Sequence, residues 1–148
     1  DNSDKLDFMR SLGADHVIDY TREDFSKSGQ QYDLILDLIA HRSVFAYRRA
    51  LRPNGTYYFV GGSVAVLLQI LLLGPLVGRS QSQKLGMLEV PQSRELLVAI
   101  TELCQAGQVV PVIDRRYSLS EVPEALRYVG EGRAKGKVVI VVDSNDKT

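Results

Sequence analysis

Tyr32-Asp33-Leu34-Ile35-Leu36-Asp37-Leu38-Ile39 is the stretch on which the fold turns. Its aliphatic residues follow one another with almost no polar alternation, which is too apolar for a strand with one wet face. A central strand of a parallel sheet reads this way, because helices cover it on both faces. The flanks agree. Ser43 to Leu51 has helical spacing and stops at Pro53-Asn54-Gly55, and Thr56 to Val60 is the next strand, ending in Gly61-Gly62. Before the central run, Asp4 to Leu12 places Leu6, Met9 and Leu12 at helical spacing ahead of Gly13. His16 to Tyr20 reads as a short strand, and Thr21 to Ser28 as a short helix or turn.

The alternation continues toward the C-terminus. Residues 63–78 begin helical and then turn irregular. Lys84 to Val90 reads as a strand, and a helix opened by Pro91 and Ser93 runs to Ala106 and stops at Gly107. Val109 to Tyr117 is extended. Ser118-x-x-Glu121 is a capping box for a helix with Pro123 in its first turn and an end near Gly130, and Val138 to Val142 is the last strand. Strands alternating with helices of this length argue for βαβ units and an α/β fold with a parallel sheet.

Composition excludes several function classes. Lys plus Arg and Asp plus Glu each number 18 in 148 residues, so the net charge is zero. No basic field draws the chain to nucleic acid or to an anionic membrane. The length suits one compact core. A lone cysteine, Cys104, allows no internal disulfide. It lies among Leu96, Leu97, Ile100 and Leu103 at helical spacing, so it reads as a small buried hydrophobe rather than a nucleophile. His16, His41 and Cys104 lack metal-ligand spacing. The apolar stretch VAVLLQILLLGPLVG, Val64 to Gly78, is shorter than the roughly 20 residues of a spanning helix and contains Gln69, Gly74 and Pro75. It reads as a buried or interface helix. Asp1-Asn2-Ser3-Asp4 has no features of a secretion signal, so a cytoplasmic location is expected.

The blocks also carry a resemblance. Leu12-Gly13-Ala14-Asp15-His16-Val17-Ile18-Asp19-Tyr20, Tyr32 to Asp37, Ala50-Leu51-Arg52-Pro53-Asn54-Gly55-Thr56 and Val60-Gly61-Gly62 occur in that order. Val112-Ile113-Asp114, Tyr117 through Ala125 and Gly136-Lys137-Val138-Val139 follow. Together they resemble the second half of the dinucleotide domain, and the chain end, of medium-chain dehydrogenases/reductases, nearest the quinone-oxidoreductase-like and zinc-type alcohol-dehydrogenase-like branches. The resemblance implies a partial Rossmann fold, a doubly wound and mainly parallel sheet lacking its first two strands. Residues 1–108 would be part of the NAD(P)-binding domain, and residues 109–148 a strand-helix-strand returning to the catalytic domain. His16–Tyr20 would be the third strand and Tyr32–Ile39 the fourth. The two strands between them would be absent, leaving an open strand edge and a gap of roughly 10–15 Å. The glycine fingerprint for the pyrophosphate would lie before Asp1, with any catalytic zinc ligands further upstream. The chain alone is then expected to be inactive, with no metal and no catalytic residue of its own.

What the resemblance implies for the cofactor is specific. Asp1 would accept hydrogen bonds from the adenosine ribose and favour NAD. Lys5 and Tyr20 would meet the 2′-phosphate or adenosine and favour NADP, so preference stays open. Ile39 and Ala40 end one strand and Val60, Gly61, Gly62 and Ser63 end the next, where open α/β sheets bind ligands. Leu88 and Glu89 would approach the nicotinamide, and Arg133 would supply a basic contact. Residues 84–90 would pair with a second copy, with residues 64–78 adding buried interface to a homodimer. The expected activity is hydride transfer between NAD or NADP and a small carbonyl, quinone, enone or alcohol. Two alternatives stand beside it: a class I S-adenosylmethionine-dependent methyltransferase, and a non-enzymatic remnant that only dimerises.

Overall fold

The structure is a computed structural model that describes residues 3–142. Contacts divide the chain into two compact units, residues 1–90 and 91–148, rather than around the single core its length suggested.

In the first unit, α1 (Ser3–Ser11) is followed by Gly13 at a φ of 95°. His16–Tyr20 forms no strand, contrary to expectation. A strand needs a ladder of hydrogen bonds to a neighbouring strand, and the described sheet of this unit consists of the three strands that follow. Residues 21–28 are turns, pinned by Asp19 Oδ1, which accepts from the Thr21 amide at 3.0 Å, and by Asp24 Oδ1, which accepts from the Ser26 amide at 3.0 Å.

The sheet of this unit is β1 (Tyr32–Asp37), β2 (Leu51–Phe59) and β3 (Lys84–Met87), in that order and parallel throughout. α2 (Val44–Ala50) begins where Ser43 Oγ accepts from the Ala46 amide. The expected stop at Pro53-Asn54-Gly55 does not separate helix from strand, because α2 passes directly into β2. Tyr32 pairs with Leu51 and Leu34 with Thr56, so Arg52 to Gly55 bulge opposite Asp33. Asn54 takes a left-handed conformation there, at a φ of 65°, one that Asn tolerates better than most residues.

α3 (Val64–Val77) is also more regular than expected. Pro75 sits in its last turn, where the carbonyl it frees belongs to the exposed Leu71 and can be solvated. Gly74 is required by packing: a Cβ there would come within 2.6 Å of the Leu85 carbonyl oxygen, so only glycine lets α3 lie this close to β3. The strand expected over Lys84–Val90 ends at Met87, with one further bond from the Leu88 amide to the Phe59 carbonyl at 2.9 Å.

Register separates the two faces of the sheet. Ile35, Tyr57 and Leu85 share a row, and α2 and α3 cover it with Val44, Tyr47, Val66 and Ile70. Leu34 and Leu36 belong to the other face and remain 54 % and 51 % exposed. The central-strand reading of Tyr32–Ile39 therefore holds on one face only, since both helices that follow the strands pack on the same side.

The second unit contains α4 (Arg94–Gln105), whose N-cap Ser93 accepts from the Leu96 amide at 3.2 Å, and Gly107 at a φ of 69° beyond its end. β4 (Ile113–Ser118) and β5 (Lys137–Val141) pair in parallel, joined by α5 (Val122–Gly130). The capping box is present: Glu121 accepts from the Ser118 amide at 2.8 Å and hydroxyl at 2.7 Å. Tyr117, Ala125 and Tyr128 are buried. Cys104 is only half-buried, not the core residue expected, because no side chain of α4 is fully buried. Among the described residues no helix is long and apolar enough to cross a membrane.

Candidate functional site

The carboxyl ends of β1 and β2 form a rim. Beyond the last strand pair, Asp37 with Phe59, the chains stay in register for one further parallel bridge, Ala40 with Gly62. The Ala40 amide donates to the Gly61 carbonyl and the Ser63 amide to the Ala40 carbonyl, both at 2.8 Å. The Asp37 carbonyl accepts from Val60 at 2.9 Å and Gly61 at 3.3 Å. Six of the residues singled out from sequence, Ile39, Ala40, Val60, Gly61, Gly62 and Ser63, are thus brought together. Ala40 is buried, while Ile39 and Val60 are exposed beside it.

The glycine pair has a local cause. Gly62 has a φ of 133°, and a side chain on it would overlap the Ala40 backbone. A Cβ on Gly61 would stand 2.9 Å from the Leu38 carbonyl oxygen. These glycines let the two loops touch. Ser63 begins α3 without a hydrogen bond from its side chain to the helix, and its side chain is exposed at the rim.

The remaining expected residues are more scattered. Leu88 joins the same end of the sheet through its bond to Phe59, and Glu89 beside it is exposed. Tyr20 lines a groove of about 400 Å³ along the free edge of β1, with Ile18, Glu23 and Phe25 facing Leu34 and Leu36. Lys5 is half-buried on α1, and none of the hydrogen bonds among described residues joins it to the rim. Arg133 belongs to the second unit, paired with Glu131 at 2.7 Å and lying 4.8 Å from the centre of the Tyr128 ring. Asp1 lies outside the described residues.

Sequence reasoning missed what supports the rim. Tyr47 and Tyr57 stack under it with ring centres 4.2 Å apart, and the Tyr57 hydroxyl donates to Asp37 Oδ2 at 3.1 Å. Arg42 follows the first rim loop, reaches Asp24 at 2.6 Å and lies over the Phe25 ring, tying the 21–28 turns to the site. The Ser26 hydroxyl first, and then its amide and the Arg42 cation, hold the Asp24 carboxyl below its usual range. One signal was available: Asp37 interrupts an otherwise aliphatic run, and a carboxylate there needs partners.

Comparison with known proteins sets this geometry in a family. A model of the zinc-binding dehydrogenase family matches residues 12–140. The NAD(P)H oxidoreductase RTN4IP1, mitochondrial, of Danio rerio is 31% identical over 99% of this chain and 42% of its own length. The 2-methylene-furan-3-one reductase of Solanum lycopersicum is 33% identical over 92% of this chain and 31% of its own length. The chain thus spans less than half of either relative. Among solved structures, the quinone oxidoreductase from Coxiella burnetii superposes with a TM-score of 0.77 at 22% identity, over 97% of this chain and 44% of that one. That likeness shows the Rossmann-type α/β fold. The family description mentions zinc; among the described residues no three His, Cys, Asp or Glu side chains converge. The match over most of the chain and the all-parallel sheet lead to one conclusion: the chain belongs to the zinc-binding dehydrogenase family of medium-chain dehydrogenases/reductases.

Proposed function

We propose that the chain supplies the nicotinamide-facing part of an NAD(P)(H)-dependent oxidoreductase that moves a hydride between the cofactor and a carbonyl, quinone, enone or alcohol. The observation that carries this reading is the Ala40–Gly62 bridge, which presents two loops together at the carboxyl ends of parallel strands. Ile39 and Val60 offer exposed apolar surface there, and the N-terminus of α3 at Ser63 favours an anionic group. Leu88 and Glu89 extend the rim. Tyr20, Lys5, Asp1 and Arg133 are proposed for the adenosine and phosphate side, and they leave the choice between NAD and NADP open. The bound cofactor would supply the hydride chemistry, and this chain's residues bind and orient it. No general acid is assigned here, and the chain alone is proposed not to turn over.

In this reading, residues 1–108 belong to the nucleotide domain and 109–148 return to a catalytic domain. A homodimer through 84–90, with exposed Leu72 and Leu76 of α3 beside it, is part of the same proposal. So is a cytoplasmic location, although relatives include a protein named mitochondrial and one named chloroplastic.

Titration calorimetry of the chain with NADPH, NADH and S-adenosylmethionine tests it. Heat with a nicotinamide nucleotide, and none with S-adenosylmethionine, is expected. Binding of S-adenosylmethionine alone would return the methyltransferase reading. Silence toward all three, with a dimeric mass in solution, would favour the assembling remnant.

A further inference from the structure

Tyr47 and Tyr57 are 1 % and 0 % exposed, and two phenylalanines would fill the same space. A buried hydroxyl is costly unless it is hydrogen-bonded, so their use explains their presence. Every use found leads to the rim. The Tyr57 hydroxyl donates to Asp37 Oδ2 at 3.1 Å, while Oδ1 of that carboxylate accepts from the Ile39 amide at 3.3 Å. The Asp37 carbonyl accepts from Val60 and Gly61. The Tyr47 hydroxyl accepts from the His41 amide at 3.2 Å and the Arg42 amide at 3.0 Å. One phenol therefore holds Asp37, which grips both loops, and the other holds the outgoing end of the first loop.

We propose that Tyr47, Tyr57 and Asp37 are positioning residues: the stacked tyrosines lock residues 38–43 and 60–63 into one preset arrangement before nucleotide arrives. The proposal rests on the nucleotide reading above and deepens it. Burial, helped by Asp37, pushes the Tyr47 phenol up to about 12, and burial pushes Tyr57 higher still, so both keep their protons at neutral pH. Tyr57 thus remains a donor to Asp37 under any physiological condition. A rim ordered in advance spares the nucleotide the entropy of ordering it.

The test uses the full chain with Tyr57→Phe and Tyr47→Phe, both isosteric, and Ile70→Val as a core control away from the rim. Amide hydrogen exchange is measured without nucleotide, and affinity for NADPH and NADH by calorimetry. Rim amides at Ile39, Val60 and Gly61 should exchange about tenfold faster in Tyr57→Phe, as expected for one lost hydrogen bond to a charged group. Those of His41 and Arg42 should do so in Tyr47→Phe, while β2–β3 amides stay unchanged. Nucleotide affinity should weaken by a similar factor, because the competent rim is less populated. Ile70→Val should lower the denaturation midpoint and leave affinity alone. Unchanged rim exchange in both Phe variants overturns the proposal, as does an equal loss of affinity in Ile70→Val. If the unaltered chain binds neither nucleotide, the nucleotide reading fails separately, and rim exchange still decides the positioning role.

Discussion

β1 has two boundaries with opposite character. At its carboxyl end, Asp37, Ala40, Val60, Gly61 and Ser63 exchange hydrogen bonds, and a buried tyrosine pair holds the loops from below. Along its other side no strand pairs with β1 among the described residues, and Leu34 and Leu36 are 54 % and 51 % exposed. The rim is complete because both of its partners lie within this chain, about twenty residues apart. On its other side β1 has no strand beside it among the described residues, and Ile18 and Tyr20 line a groove with Leu34 and Leu36 there. An unpaired apolar edge is a template for another strand, whether from the same polypeptide or from a neighbour.

The contrast predicts graded responses. Tyr47→Ala should cost most, about 3–5 kcal/mol in chemical denaturation, since it empties a buried aromatic site and removes the acceptor for two amides. A loss under about 1 kcal/mol would show that the tyrosine pair does not hold the rim.

Alkaline pH should act next. The folded Tyr47 phenol titrates near 12, above its reference of 10.0, so the folded state keeps a proton that the unfolded state loses. This stability is complete below about pH 10 and is lost as pH rises toward 12, on the order of 1 kcal/mol per pH unit for each tyrosine. Denaturation series between pH 9 and 12 should show this slope, with a shallower one in Tyr47→Phe. Equal slopes would remove the buried phenol as the cause.

Gly62→Ala should cost about 1–3 kcal/mol, because it combines a strained backbone with a clash against Ala40. Its rim amides should exchange faster than those of β3, and uniform exchange would place the strain elsewhere. The smallest effect belongs to the uncovered face of β1. Leu36→Lys should change stability by no more than about 0.5 kcal/mol, since that side chain is already half in water. It should nevertheless lower self-association seen by light scattering. A large stability loss would mean that this face is covered in solution.

Legibility in the sequence followed the range of the interactions. Ser43, Ser93 and the Ser118–Glu121 box were readable as helix starts because a cap is made within three residues. The parallel pairing of Tyr32–Asp37 with the strand after it, and the glycines that end it, were readable from the alternation. The bulge at Arg52–Gly55 was not, because Pro-Asn-Gly serves a turn and a bulge equally well and only pairing with Tyr32 and Leu34 chooses. Nor was the regular course of α3 through residues 63–78, expected to turn irregular, because Gly74 serves close packing on Leu85 rather than a break. His16–Tyr20 has strand-like residues and no strand, since strand propensity depends on tertiary context. Tyr47 and Tyr57 lie ten residues apart on different elements, and only folding stacks them beneath the rim.

By itself, the sequence determined the order and type of the elements from Tyr32 onward, the family, and where the carboxyl ends of the strands fall, because caps, turns and apolar periods act over a few residues. Tertiary structure alone decided which face of β1 is covered, which expected strand joins no sheet, and that two phenols and one carboxylate hold the rim. Those outcomes depend on contacts between residues distant in the chain, whose geometry no local pattern encodes.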